Sequence, residues 1–146
     1  MTAHDVARII TEAFRDTPRP TGKLTDTYDD EGVEAYFAGR PWSGHDVATL
    51  RRHAAAMSLF TTEAFRYYLP AFMLAELSDP ETADIIGESI VHHLGPPADY
   101  WEEIHRARLS LFTNGERNAI LAFLHYMEGT DSTFSESVRY AETQMV

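Results

Sequence analysis

The sequence of 146 residues contains no cysteine. Disulfide bonds, iron–sulfur clusters, cysteine-bound zinc and thiol catalysis are therefore excluded, and a reducing compartment is favoured. No stretch approaches the roughly 20 apolar residues that a membrane-spanning helix requires. The amphipathic N-terminus lacks the basic patch and the uninterrupted apolar run of a signal peptide. We therefore expect a soluble, cytoplasmic protein that does not act at a membrane.

Basic residues are scarce as well. The chain has 12 lysines and arginines against 23 aspartates and glutamates, which gives a formal net charge of −11. Residues 1–49 carry nine acids against five bases, and residues 79–108 carry seven against two. A strong negative field repels a phosphate backbone, so we expect no binding to nucleic acid, whereas a basic protein partner would suit this surface. An acidic surface that only maintains solubility is the alternative explanation.

The sequence also lacks any alternation of apolar and polar residues long enough to predict a strand. Apolar residues instead recur every three or four positions, as in amphipathic helices. The longest apolar stretch contains Pro70, which has no amide hydrogen and predicts either a kinked helix or two helices that meet at Leu69. We predict an all-α fold: a single compact bundle of about six or seven helices around a proline-kinked central helix, residues 60–77.

The chain is predicted to form a single domain, residues 1–146, in which turn-forming residues and helix caps separate the helices. A segment rich in Pro, Gly, Thr and Asp at about 16–30 is predicted to be a loop, and a polar tail is expected from about residue 130. Ser43 and Thr113 are predicted to cap the helices that follow them. The helix near 99–109 is expected to bury Tyr100, Trp101, Ile104 and Leu109.

One segment carries a resemblance. Residues 60–72 read Phe-Thr-x-Glu-Ala-x-Arg-Tyr-Tyr-Leu-Pro-Ala-Phe, and Leu-Phe-Thr follows at 111–113. This signature resembles a family of small, uncharacterised bacterial all-α proteins, over roughly residues 5–127. No activity, cofactor or catalytic residue is established for that family, so the resemblance implies no function. The residues themselves predict helix packing around Pro70, with Arg66 paired to an acid.

Recognisable catalytic motifs are absent. There is no nucleophile elbow, no phosphate-binding glycine loop and no dinucleotide fingerprint, so we assign no catalytic residue and no cofactor. Glu102 and His105 have the Glu-x-x-His spacing that di-iron bundles use twice, but no second copy follows. The alternative hypothesis is a metal-binding protein or metal-dependent enzyme that uses His92, His93, Glu102 and His105.

The leading hypothesis is a non-enzymatic, acidic protein-binding protein, most specifically an immunity-type or antitoxin-like inhibitor of a basic toxin. Tyr67 and Tyr68 are not expected to face the same core, and aromatic side chains that border the acidic loop would anchor an interface. The alternative is that these rings only cover the core and keep their hydroxyls in water. The predicted partner-binding residues are Asp26, Asp29, Asp30, Glu31, Glu34 and Trp42. Self-association through surplus apolar surface is a third hypothesis.

Overall fold

The computed structural model describes residues 1–26 and 28–145. In this part of the chain it contains helices and no strand, and an isolated antiparallel bridge joins Thr25 to Phe60. The α-helices are α1 (Ala3–Phe14), α2 (Val33–Phe37), α3 (Val47–Arg52), α4 (Ala56–Leu59), α5 (Thr62–Ser78), α6 (Pro80–Ala83), α7 (Ile86–Leu94), α8 (Glu102–Leu111), α9 (Asn114–Thr130) and α10 (Ser135–Gln144). Short 3-10 turns, Asp99–Trp101 and Ser132–Phe134, precede α8 and α10. The predicted all-α fold is confirmed.

Helix α5 is the centre of the fold. Its N-cap Thr61 accepts a hydrogen bond from the amide of Ala64 at 3.2 Å, and the helix continues through Pro70 as a single element. Since proline cannot donate, the carbonyl of Arg66 loses its usual intrahelical partner there. Helices α1, α3, α6, α7 and α8 all pack on α5, which is why it has almost no solvent-facing side.

This enclosure corrects the prediction for the two tyrosines. Tyr67 and Tyr68 are both buried, because α5 is covered on opposite sides by different helices. The hydroxyl of Tyr68 donates towards the carbonyls of Phe37 and Arg40, at 2.8 and 2.7 Å, and burial raises the pKa of Tyr68 to about 12. The predicted aromatic surface is therefore not supplied by this pair.

Caps define the long outer helices. A capping box begins α1, in which Thr2 and Asp5 exchange bonds of 2.9 and 3.1 Å, and a second begins α9 at Thr113, as predicted. The predicted cap at Ser43 is wrong: Asp46 accepts from the amide of Thr49 and begins α3. The carboxylate of Asp46 stands three residues before that amide, the correct spacing for an N-cap that bonds N3.

A buried ion pair joins the signature segment to α9. The Glu116 carboxylate, 1% exposed, accepts from Arg66 Nε at 2.9 Å, from Arg66 Nη2 at 3.2 Å and from the Thr113 amide at 2.8 Å. The hydroxyl of Thr17 donates to the same carboxylate. The prediction that Arg66 pairs with an acid is confirmed, and the pair ties α5, α9 and the chain after α1 together.

Candidate functional site

Five of the six predicted partner-binding residues, Asp26, Asp29, Asp30, Glu31 and Glu34, lie on residues 24–26 and 28–34, which we call the acidic segment. Glu34 accepts from the backbone amides of Leu24 and Thr25, at 2.5 and 2.9 Å. Asp29 accepts from the amides of Val33 and Glu34, at 3.0 and 2.9 Å. The amides of Glu34 and Val33 hold the pKa of the Asp29 carboxyl below its usual range. Two of the predicted acids therefore hold the segment in shape.

The remaining acids of the set face solvent. Asp26, Asp30 and Glu31 are exposed. Tyr28, a residue that sequence analysis did not select, is 84% exposed among them. An aromatic ring between free carboxylates is the arrangement expected of an anchor at a polar interface.

Trp42 does not belong to this surface. Its side chain is buried, and its indole Nε1 donates to the carbonyl of Phe14 at 3.1 Å. The selection of Trp42 as a surface anchor rested on residue type alone, whereas packing against α1 makes it a core residue. Tyr28 takes its place as the aromatic residue of the acidic segment.

A second feature is a cavity of about 320 Å³ between the end of α4, the end of α7 and the start of α8. We call it the Arg108 cavity. Its lining residues are Ser58, His92, His93, Pro96, Pro97, Ala98, Tyr100, Trp101, His105 and Arg108. Its volume falls at the lower end of the range typical of small-molecule sites.

Arg108 is the most unusual residue of this cavity. It is 3% exposed, and its guanidinium carbon lies 4.1 Å from the ring centre of Phe65 and 5.5 Å from that of Trp101. Its Nη2 donates to the carbonyl of Phe60 at 2.9 Å, while its Nε has no hydrogen-bond partner among residues 1–26 and 28–145. Burial lowers the pKa of Arg108 to about 10, so the group still carries its charge at neutral pH.

Two histidines of the cavity lie near that charge, His93 half-buried and His105 buried. Burial, followed by repulsion from Arg108, lowers the pKa of His93 to about 4. His105 is 7% exposed, its Nε2 has no hydrogen-bond partner, and burial lowers its pKa too. Both imidazoles are therefore neutral at pH 7, because the protonated form is penalised by burial and by a neighbouring cation.

The four residues of the metal hypothesis are only partly brought together. His92, His93 and His105 line the Arg108 cavity, but Glu102 does not. Glu102 is exposed and lies 3.6 Å from Arg106, one turn away on α8. Across residues 1–26 and 28–145, no group of three or more His, Cys, Asp or Glu side chains is placed to hold a metal ion. A buried guanidinium among the histidines also opposes a second cation.

Ser58 and His93 are the nearest approach to a nucleophile and a base. Their Oγ and Nε2 atoms are 3.4 Å apart, longer than a typical hydrogen bond between such groups. A general base works best with a pKa near the operating pH, and that of His93 is about 4. The arrangement therefore suits binding better than acyl transfer.

A larger groove of about 470 Å³ lies beside α1 and α5. Its wall includes His45, whose Nδ1 accepts from the Tyr36 hydroxyl at 2.6 Å and whose Nε2 donates to the Pro41 carbonyl at 2.7 Å. Both nitrogens are thus occupied within the protein. Because this groove is mainly apolar and the ring nitrogens of His45 are both occupied, it offers less to a polar ligand than the Arg108 cavity does.

Sequence analysis selected the histidines of the cavity but missed Arg108. On α8 and the turn before it, the predicted burial of Leu109 is confirmed, whereas Ile104 is 46% exposed and Tyr100 is 83% exposed. His105 and Arg108, which were not predicted to be buried, are buried instead. Ile104 is exposed because the buried face of α8 carries His105, Arg108 and Leu109. The spacing of Trp101, His105 and Arg108, at i, i+4 and i+7, is the signal that places all three on one helical face.

Comparisons with known proteins complete the description. A family model described as "Family of unknown function (DUF6714)" matches residues 2–143. No curated protein and no solved structure matches the chain. Within the described residues, no helix is long and apolar enough to cross a membrane.

Proposed function

The chain belongs to DUF6714, a family of unknown function, and we propose from its own surface that it is a non-enzymatic protein that binds a basic protein partner through the acidic segment. In its most specific form, the protein is an immunity-type or antitoxin-like inhibitor that covers a basic toxin in the bacterial cytoplasm. Membership of the family confirms the expectation of an uncharacterised family and adds no activity to the argument.

The observation that carries this proposal is a free acidic and aromatic surface on a segment with internal support. Asp26, Asp30 and Glu31 are exposed around Tyr28, while Asp29 and Glu34 accept backbone bonds within the segment. The amide of Thr61 also donates to the carbonyl of Leu24 at 2.8 Å, which fastens the segment to the start of α5. A surface that is ordered before binding loses less entropy when a partner docks.

Electrostatics favours a basic partner. The net charge of −11 attracts a cationic protein over a distance of about one Debye length, roughly 8 Å at physiological salt, and raises the association rate. Rim carboxylates act mainly on association, and an exposed tyrosine adds contact area at small entropic cost. The segment therefore combines carboxylates that attract a basic protein with an exposed tyrosine that can pack against it.

The test compares two variants of equal charge. In the first, Asp26, Asp30 and Glu31 are changed to lysine. In the matched control, the exposed helical acids Glu88, Glu103 and Glu136 are changed to lysine. Each is used to capture proteins from the native cell lysate at low salt, and the association rate of any basic protein retained by wild type is then measured.

We expect a basic partner that binds wild type and the control but associates at least about tenfold more slowly with the segment variant. Raising the salt concentration should weaken binding of wild type. A partner that binds both variants equally would contradict the proposal, since it would respond to net charge rather than to this segment. An eluate without any basic partner would contradict it as well.

A further inference from the structure

The Arg108 cavity contains a buried positive charge that no carboxylate neutralises at close range. None of the ion pairs among the described residues involves Arg108. The exposed carboxylate of Asp26 attracts it only from a distance. A buried arginine is normally paired or fully hydrogen-bonded, whereas Arg108 makes one backbone bond and its Nε has no partner among the described residues, which leaves donor capacity for a ligand.

A second unpartnered group lies in the same cavity. His105 Nε2 is buried without a hydrogen-bond partner, and His105 stands one turn before Arg108 on α8. A neutral imidazole nitrogen donates in one tautomer and accepts in the other. His105 and Arg108, each more than nine-tenths buried, thus line the same cavity, and each has one nitrogen without a hydrogen-bond partner in the part of the chain that the structure describes.

Aromatic and proline residues line the cavity together with the polar residues Ser58, His92 and His93. Trp101 packs within cation–π distance of Arg108, and Tyr100, which is 83% exposed, Pro96 and Pro97 are also lining residues. Flat apolar walls around a few polar groups favour a ligand with a planar body and one charged end.

From this arrangement we propose that the Arg108 cavity binds a small organic carboxylate with an aromatic or other flat apolar body. A carboxylate matches the planar donor fork of a guanidinium. A single negative charge fits a single buried cation, whereas the protein's net charge of −11 disfavours an ion with several charges, such as phosphate. The same buried cation makes the site unsuitable for a metal ion.

The experiment uses the full chain and two probes, benzoate and inorganic phosphate. Each probe is titrated into ¹⁵N-labelled protein, and the indole signals of Trp101 and Trp42 are followed. Trp42 lies outside the cavity and serves as the internal reference. We expect a saturable shift of the Trp101 signal with benzoate, no shift of the Trp42 signal, and a weaker response to phosphate.

Three variants separate binding from folding. Arg108→Met should bind benzoate roughly ten- to a hundredfold more weakly, because a charge-assisted bond is lost. Arg117→Met is the matched control: Arg117 also donates to a backbone carbonyl, that of Leu109 at 3.3 Å, and also has an unpartnered Nε, but it does not line the cavity. Tyr100→Ala removes an exposed ring and should weaken benzoate while leaving the fold intact.

The outcomes are decisive in either direction. Loss of benzoate binding in Arg108→Met but not in Arg117→Met supports the proposal, and weaker binding in Tyr100→Ala supports the aromatic part of it. Benzoate that shifts no signal, or that binds Arg108→Met as well as wild type, overturns it. Phosphate that binds more tightly than benzoate would show a general anion site and overturn the carboxylate assignment.

Discussion

Arg66 and Arg108 lie on helices that pack together, α5 and α8, yet their charges meet opposite surroundings. The side chain of Arg66 is 16% exposed and makes two bonds to the Glu116 carboxylate. Arg108 is 3% exposed and donates to one backbone carbonyl, with no carboxylate at bonding distance among the described residues. A buried cation that the protein satisfies is part of the fold, and one that it leaves unsatisfied is a candidate binding group.

The largest loss of unfolding free energy should follow from breaking the ion pair between Arg66 and Glu116. In Arg66→Met, the Glu116 side chain, which is 2% exposed, loses the cation with which it pairs. Removing one partner of a buried pair typically costs about 3–5 kcal/mol of unfolding free energy. Urea denaturation of wild type and variant at pH 7 measures this. Arg66→Lys, which keeps the charge, should lose less, and a loss below about 1 kcal/mol in Arg66→Met would contradict the structural role of the pair.

The next effect is a dependence on pH that comes from His93, the imidazole beside Arg108. Burial first, and Arg108 second, lower the pKa of His93 from 6.5 to about 4 in the folded protein. The unfolded chain therefore binds a proton first as the pH falls. The stability that neutral His93 contributes is complete above pH 6.5 and is lost as the pH falls towards 4, by up to roughly 3 kcal/mol.

Urea denaturation between pH 7.5 and pH 4.5 tests this loss. His93→Gln has no group that titrates at this position, so its unfolding free energy should fall less steeply over the same range, although His53 and His105 still titrate. Arg108→Met removes the second cause, and the pKa of His93 in that variant, followed by NMR, should rise. Equal pH dependence in wild type and His93→Gln would show that His93 is not the responsible group.

A smaller change is expected from Arg108→Met. The carbonyl of Phe60 loses a donor, which costs about 1 kcal/mol. Removal of an unpaired buried charge offsets part of that cost, and methionine fills much of the same space. The unfolding free energy should therefore stay within about 1 kcal/mol of wild type. A loss comparable to that of Arg66→Met would mean that Arg108 mainly stabilises the fold, which would argue against its role in binding a ligand.

The contrast between the two arginines also shows which features of the structure can be predicted from sequence alone. Periodicity and caps predicted the all-α fold, the position of α1 and the start of α9, because these depend on residues close in sequence. The pairing of Arg66 with an acid was predicted, but not its partner, which is 50 residues away. Long-range packing decided the rest: it buried Trp42 and Tyr67, and it turned Ile104 outwards and Arg108 inwards.

The acidic segment is a second case in which sequence alone could not assign the role of each residue. Composition identified its charge, yet it could not separate carboxylates that bind the segment's own amides, Asp29 and Glu34, from those free to meet a partner. That separation depends on the hydrogen-bond geometry of a segment whose described residues before Val33 lie outside any helix. Tyr28 was missed for a related reason, since a lone tyrosine in a polar loop carries no periodic signal.

The smallest effect on the unfolding free energy is expected for a substitution of Arg106, two residues before Arg108. Arg106 is on the same helix, but its side chain is 72% exposed and lies 3.6 Å from Glu102, itself 64% exposed. An exposed pair at this spacing contributes about 0.5 kcal/mol or less, because water screens both charges. Arg106→Met should therefore change the unfolding free energy by no more than this amount and leave benzoate binding unaltered. If Arg106→Met weakened benzoate as strongly as Arg108→Met, attraction by the helix's overall charge, and not a buried guanidinium, would explain the binding.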